Sequence, residues 1–125
     1  MLLAAPALHA QPRTIRLVIP FGAGGITDLV ARILAERAAV KLGVTIVAEN
    51  RAGANGNIAG EYVARAAPDG TTLLMASLAM FAVNPVIYPR MSYDPLADFA
   101  PVALAASTPH VVVGHPGSVP SDFGG

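Results

Sequence analysis

A chain of 125 residues with net charge +0 at pH 7 is sized for one small domain and lacks the charge footprint of a nucleic-acid or anionic-membrane binder. It is 54% hydrophobic and 13% charged, yet no apolar run approaches the roughly 18 residues of a membrane span. There is no cysteine, which excludes disulfides and thiolate metal sites and leaves the compartment open.

The first ten residues (MLLAAPALHA) resemble the apolar end of a secretory signal. Ala5-Pro6-Ala7 matches an A-x-A pattern, Ala10 offers a second cleavage point, and no basic segment precedes them. Residues 1–10 are therefore expected to be a signal remnant. Residues 14–19 (TIRLVI) are rich in β-branched side chains and predict a first strand, which Pro20 closes because it has no N–H for a ladder. Phe21-Gly22-Ala23-Gly24-Gly25 then forms a strand-to-helix turn, with Phe21 either capping the core or walling a pocket. Over residues 26–42, Ile26, Leu29, Val30, Ile33, Leu34, Ala38 and Leu42 share one helical face, which predicts the buried side of a helix. Asp28 and Arg32 stand i, i+4 and read as an ordinary surface pair, and Gly43 is the C-terminal stop.

Residues 45–48 (TIVA) predict the second strand, and residues 49–57 (ENRAGANGN) a polar, glycine-rich loop. A second helix is expected over 58–67, with Glu61 and Arg65 paired, and Pro68-Asp69-Gly70 ends it. Residues 71–76 (TTLLMA) predict the third strand, with Ser77 at its end. Repeated β-loop-α units with short connections imply a mostly parallel sheet covered by helices, an α/β fold. In such sheets ligands gather at the carboxyl ends of the strands, so loops 21–27, 50–57 and 77–80 are expected to meet there. Beyond them, residues 78–88 predict a short helix interrupted at Asn84-Pro85, with Met80 and Phe81 as core. Turns are expected around Tyr93-Asp94-Pro95 and residues 98–101, then two short strands at 102–106 and 111–114.

The chemistry that these loops offer is anion binding. Glycine brings backbone close to a ligand, and the first N–H groups of a helix lack internal partners and carry the positive end of its dipole. Catalysis has little support. His9 lies in the leader, His110 and His115 flank a predicted strand, and capping explains Asp94 and Asp98. No nucleophile elbow or H-E-x-x-H spacing occurs, so no metal, cofactor or catalytic residue is expected.

Taken together, IRLVIPFGAGGITDLVARILAERA, VAENRAGANGNIAGEYVARAAPDGTTLLMAS, NPVIYPRMSYDPLADFAPVALAAS and VVVGHP resemble the Bug-type periplasmic receptors of tripartite tricarboxylate transporters. The likeness runs in order through nearly the whole chain after Gln11. It implies a three-layer lobe, the first of two in a type II periplasmic-binding-protein-like (Venus flytrap) fold, that holds a small carboxylate. By the same resemblance Phe21, Gly24, Gly25 and Thr27 form the first binding loop, Ala54, Asn55 and Gly56 the second, and Ser77 stands on the third. It also implies a non-enzymatic role, a periplasmic location, and the membrane components of a tripartite transporter as partners, without a membrane-embedded segment of its own. Two departures stand out. Family members often carry proline or another bulkier residue where Gly22-Ala23 stand, and family chains are more than twice this long. The expected layout is a signal remnant at 1–10, an incomplete first lobe at 11–105, and the start of a crossover to a second lobe at 106–125. Two alternatives stay open at this point. One is a Rossmann-type dinucleotide domain of an oxidoreductase, with Gly22-x-Gly24 at the turn and Glu49 as the ribose-binding acid; the other is a truncated product without function.

Overall fold

The structure is a computed structural model and describes residues 13–109, 111 and 113–115. The expected signal remnant and His110 lie outside the described residues. Three parallel strands form the centre: β1 (Thr14–Ile19), β2 (Thr45–Asn50) and β3 (Thr72–Leu74), in the order β2-β1-β3. Thr14 of β1 stands opposite Thr45 of β2, and Arg16 opposite Thr72 of β3. The β3 pairing continues past its strand ends, because the Arg16 N–H donates to the Thr71 carbonyl and the Met75 N–H to the Val18 carbonyl. β2 runs two residues beyond the expected end, through Glu49 and Asn50, since both remain in register with β1.

Helix α1 (Ile26–Leu42) has the predicted bounds, and Gly43 ends it in the left-handed conformation expected of a C-terminal glycine. Its buried face differs from the one that hydrophobic periodicity indicates. Asp28, Ala31 and Ala35 face inward, whereas Ile26 is 63% and Leu29 55% exposed and Ile33, Leu34 and Leu42 are exposed as well. Small side chains let the helix lie close to β1 and β2, and the bulky ones are turned away from the sheet. Helix α2 (Asn57–Ala64) packs on β3 and β1 and begins one residue early. It stops three residues short of the expected end, where the Ala66 N–H bonds tightly back to the Val63 carbonyl. The residue before Pro68 is sterically excluded from continuing the helix.

The two helices flank opposite faces of the sheet. Adjacent strand residues point to opposite faces; Asn50 meets Asp28 and Arg32 of α1, while Glu49 shares Arg16 with Tyr62 of α2. The three-layer α/β arrangement is thus present. Tyr93 packs against Gly60 of α2 and is buried, with its hydroxyl donating to Asn57 Oδ1 at 2.9 Å. A Cβ on Gly60 would lie 2.5 Å from the Tyr93 ring. Gly60→Ala is therefore expected to destabilise the chain by about 1–3 kcal/mol, as overpacking does. Urea unfolding against the parent checks this.

After β3 the chain winds through a π turn (Ala79–Val83) directly into helix α3 (Asn84–Ile87). The chain stays helical through Asn84-Pro85, where the sequence predicts an interruption, and changes there from the π turn to α3, with Pro85 in the first turn of α3. Met80 is fully buried, and Phe81 is half-buried with its ring edge-on to Phe99 at 5.6 Å. Asp94 and Asp98 close a turn reciprocally. Asp94 Oδ1 accepts from the Leu96 and Ala97 N–H groups, and Asp98 Oδ2 from the Asp94 N–H.

The strand expected at 102–106 does not form, and at 111–114 none appears among the described residues. Val102 is 80% and Leu104 87% exposed, with no neighbouring strand to pair with among the described residues. A short apolar run becomes a strand only when a ladder partner and a packing face exist. No helix among the described residues is long and apolar enough to cross a membrane.

Candidate functional site

Because the three strands are parallel, the segments that follow them leave from one edge of the sheet. They also touch. Gly56 of the second loop is buried against Pro20 of the first and Met80 of the third, so closely that a Cβ would lie 3.1 Å from Pro20 Cβ and 2.7 Å from Met80 Sδ. The convergence expected from topology is present.

In the first loop, Gly24 has φ +86, a conformation glycine adopts without strain, and Gly25 is the N-cap of α1 in extended geometry. The loop is fixed by Asp28, whose carboxylate reaches back to it. Asp28 Oδ2 accepts the Gly24 N–H at 3.0 Å, and Oδ1 accepts Arg32 Nε at 3.0 Å and Asn50 Nδ2 at 2.8 Å. Asn50 Nδ2 also donates to the Phe21 carbonyl, and Arg32 Nη2 donates to Asn50 Oδ1. This corrects the reading of Asp28 as a surface pair. It is buried and ties both ends of the loop to the end of β2. The Arg32 guanidinium first, then the Gly24 N–H and the Asn50 amide, hold its carboxyl well below the usual carboxylate range against the opposing effect of burial.

This arrangement sorts the loop's donors. The Gly24 N–H is committed to Asp28. Among the described residues, the N–H groups of Gly25, Ile26, Thr27 and Asp28 have no acceptor, and the first bond of α1 runs from the Leu29 N–H to the Gly25 carbonyl. Thr27 is half-buried and its hydroxyl has no hydrogen-bond partner among the described residues; Phe21 is half-buried beside the loop.

The second loop takes a left-handed path, with φ +137 at Gly53, +47 at Ala54, +53 at Asn55 and +92 at Gly56. Its internal bonds join the Gly56 N–H to the Gly53 carbonyl and the Asn57 N–H to the Ala54 carbonyl. The N–H groups of Ala54 and Asn55 have no acceptor among the described residues. The Asn55 side chain is tethered to the third segment, its Nδ2 donating to Asn84 Oδ1 at 2.7 Å. At the third segment, Ser77 Oγ is buried without a hydrogen-bond partner among the described residues, while the Ser77 carbonyl accepts the Met80 N–H. A buried hydroxyl without a partner is uncommon in folded proteins.

The sequence profile described as "Tripartite tricarboxylate transporter family receptor" matches residues 30–122. The chain belongs to this receptor family. BugT from Bordetella pertussis is 41% identical over 105 residues, covering 83% of this chain and 32% of BugT. A protein of Pseudomonas sp. encoded between tcbD and tcbE is also 41% identical, over 94% of this chain and 34% of its own length. MatC from Rhodopseudomonas palustris, solved with bound malate, is 44% identical and superposes with a TM-score of 0.71 over 74% of this chain and 32% of MatC. An adipate-bound R. palustris protein gives a TM-score of 0.65 at 41% identity, over 69% of this chain and 29% of its own. The fold is thus an α/β lobe of the periplasmic-binding-protein type, and this chain spans about a third of the length of its relatives.

Within this receptor family the dinucleotide reading is not favoured. Glu49, the expected ribose-binding acid, is held by Arg16 Nε at 3.1 Å and Arg51 Nη2 at 2.6 Å. Asp28, Asn50 and Asn84 were not singled out as site residues by the sequence. Asp28 and Arg32 stand at helical spacing, but their joint partner Asn50 is 18 residues beyond Arg32 and no local pattern connects them.

Proposed function

We propose that this chain forms the first-lobe wall of the binding site in an extracytoplasmic solute receptor, one that captures a small carboxylate for the membrane components of a tripartite transporter. The observation that carries this reading is the set of uncommitted donors at one sheet edge. It comprises the amides of Gly25, Ile26 and Thr27, those of Ala54 and Asn55, and the unpartnered Ser77 hydroxyl. Amides at a helix N-terminus and in a left-handed turn suit an anion of carboxylate size without a buried cation. The malate and adipate bound by two structural neighbours agree with that chemistry.

On this reading Phe21, Gly24, Gly25 and Thr27 shape the first loop, with Gly24 serving as its anchor and not as a donor. Ala54 and Asn55 contribute through backbone, Gly56 through close packing, and Ser77 through its hydroxyl. Residues 11–105 are the first lobe and 106–125 lead toward a second, in a protein that binds and releases its ligand unchanged in the periplasm.

Thermal unfolding of the full chain with malate, adipate and their uncharged diamides tests this. A ligand bound only by the folded state at a hundred times its Kd adds about 2.7 kcal/mol of stability. The acids are expected to raise the unfolding midpoint and to be recovered intact, and the diamides to leave it unmoved. A midpoint indifferent to every carboxylate would refute direct binding by this chain.

A further inference from the structure

Asn84 is fully buried, the most enclosed polar side chain among the described residues. Its Nδ2 donates to the Asn55 carbonyl at 3.1 Å and to Asn57 Oδ1 at 2.7 Å, and its Oδ1 accepts from Asn55 Nδ2 at 2.7 Å. Tyr93 adds its hydroxyl to the same Asn57 oxygen. Asn84 therefore bonds on both sides of Gly56, within the stretch that carries four consecutive positive φ values.

Two of those four residues, Ala54 and Asn55, are not glycine. An L-residue in the left-handed region is held there only when its surroundings over-determine it, and such strain gathers at binding sites. The bonds from Asn84 supply that constraint. Asn55 Nδ2 and the Asn55 carbonyl are both bonded to Asn84, while the N–H groups of Asn55 and Ala54 have no acceptor among the described residues. We infer that Asn84 is a positioning residue for carboxylate binding: it locks the second loop in its left-handed turn and so presets the Ala54 and Asn55 amides, without touching the ligand. This rests on the proposed function for its consequence in binding, but its structural half stands alone.

The test uses the full chain with Asn84→Leu, which keeps the volume and removes every side-chain hydrogen bond. Val18→Ala serves as a control, being an equally buried residue of β1 outside the three loops. Backbone Cα and carbonyl chemical shifts of Ala54 and Asn55 report the left-handed geometry. Asn84→Leu is expected to move them off left-handed values, and Val18→Ala to leave them in place. Malate affinity is expected to fall about tenfold or more in the first variant, because preorganisation is lost, and to stay within about twofold in the second. If Asn84→Leu does not fold, Asn84→Ser, too short to bridge both asparagines, carries the same comparison. Unmoved shifts at Ala54 and Asn55 would overturn the proposal, as would unchanged malate affinity in a loop that has moved. A parent chain indifferent to malate would refute the proposed function, and the shift comparison would still decide whether Asn84 holds the loop.

Discussion

Gly56→Ala is expected to destabilise the chain by about 2–5 kcal/mol, combining a left-handed alanine with overpacking. Gly56 has φ +92, and its new methyl would sit 2.7 Å from Met80 Sδ, 2.9 Å from Met80 Cγ and 3.1 Å from Pro20 Cβ. Neither neighbour yields easily, because Met80 and Pro20 are both fully buried and proline is rigid. Two other glycines calibrate the result. Gly24 has φ +86 with open space around it, so alanine there carries only the backbone cost of about 1–2 kcal/mol. At Gly53, with φ +137, the added methyl meets only the tip of the half-exposed Ile58 side chain, which can rotate away, so alanine there carries chiefly the backbone cost of about 1–3 kcal/mol. Urea midpoints are expected to rank Gly56→Ala lowest. Against a total stability of roughly 5–15 kcal/mol for a domain, that loss is a large share of the whole. If Gly56→Ala were no worse than Gly24→Ala, the close seating of the second loop on the first would be wrong.

Asp28→Ala is expected to release the first loop. The substitution leaves the Gly24 N–H, Arg32 Nε and Asn50 Nδ2 without their shared acceptor, and Asp28→Asn does much the same by presenting an amide to three donors. Malate affinity is expected to drop about tenfold or more, since the amides of Gly25–Thr27 lose their preset geometry. The pH dependence follows from the sign of the shift. The folded-state pKa of Asp28 is depressed from an ordinary 3.8, chiefly by Arg32 and then by the Gly24 N–H. Its stabilisation is thus fully present above the unfolded value and is lost as pH falls through the folded one. Asp69, whose carboxylate accepts the Thr71 hydroxyl and N–H, is depressed in the same direction. Stability is therefore expected to hold level above about pH 5 and to decline below about pH 4. In Asp28→Asn the acid decline should be shallower, with the Asp69 part remaining. Urea unfolding across pH for both proteins checks it, and identical acid limbs would contradict the role given to Asp28.

The contrast between these residues shows what was legible beforehand. β1, α1 and the Gly43 stop follow local rules, namely a β-branched run, a helical repeat and a glycine that adopts φ +64, and all three appear where the sequence places them. The meeting of three loops follows from parallel strands alone. The inward face of α1 does not follow from hydrophobicity, because close approach to the sheet selected Ala31 and Ala35 over Ile26, Leu29 and Ile33. Likewise the partners of Asp28 and Asn84 are set by tertiary contact. Asn50 reaches Asp28 across 22 positions and Asn55 reaches Asn84 across 29, so spacing along the chain carries no trace of either bond. The run from Val102 to Ala106 failed for a similar reason, since propensity without a partner strand does not make a ladder.

The measurement that tests the central claim most directly is an amide NMR spectrum of the full chain titrated with malate. The two free-amide groups should respond as one site. Gly25, Ile26 and Thr27 should shift saturably with the same midpoint as Ala54 and Asn55, while Gly24, whose N–H is held by Asp28, moves less. Shifts that miss these residues, or that affect the two loops with different midpoints, would contradict a single carboxylate site at this edge of the sheet.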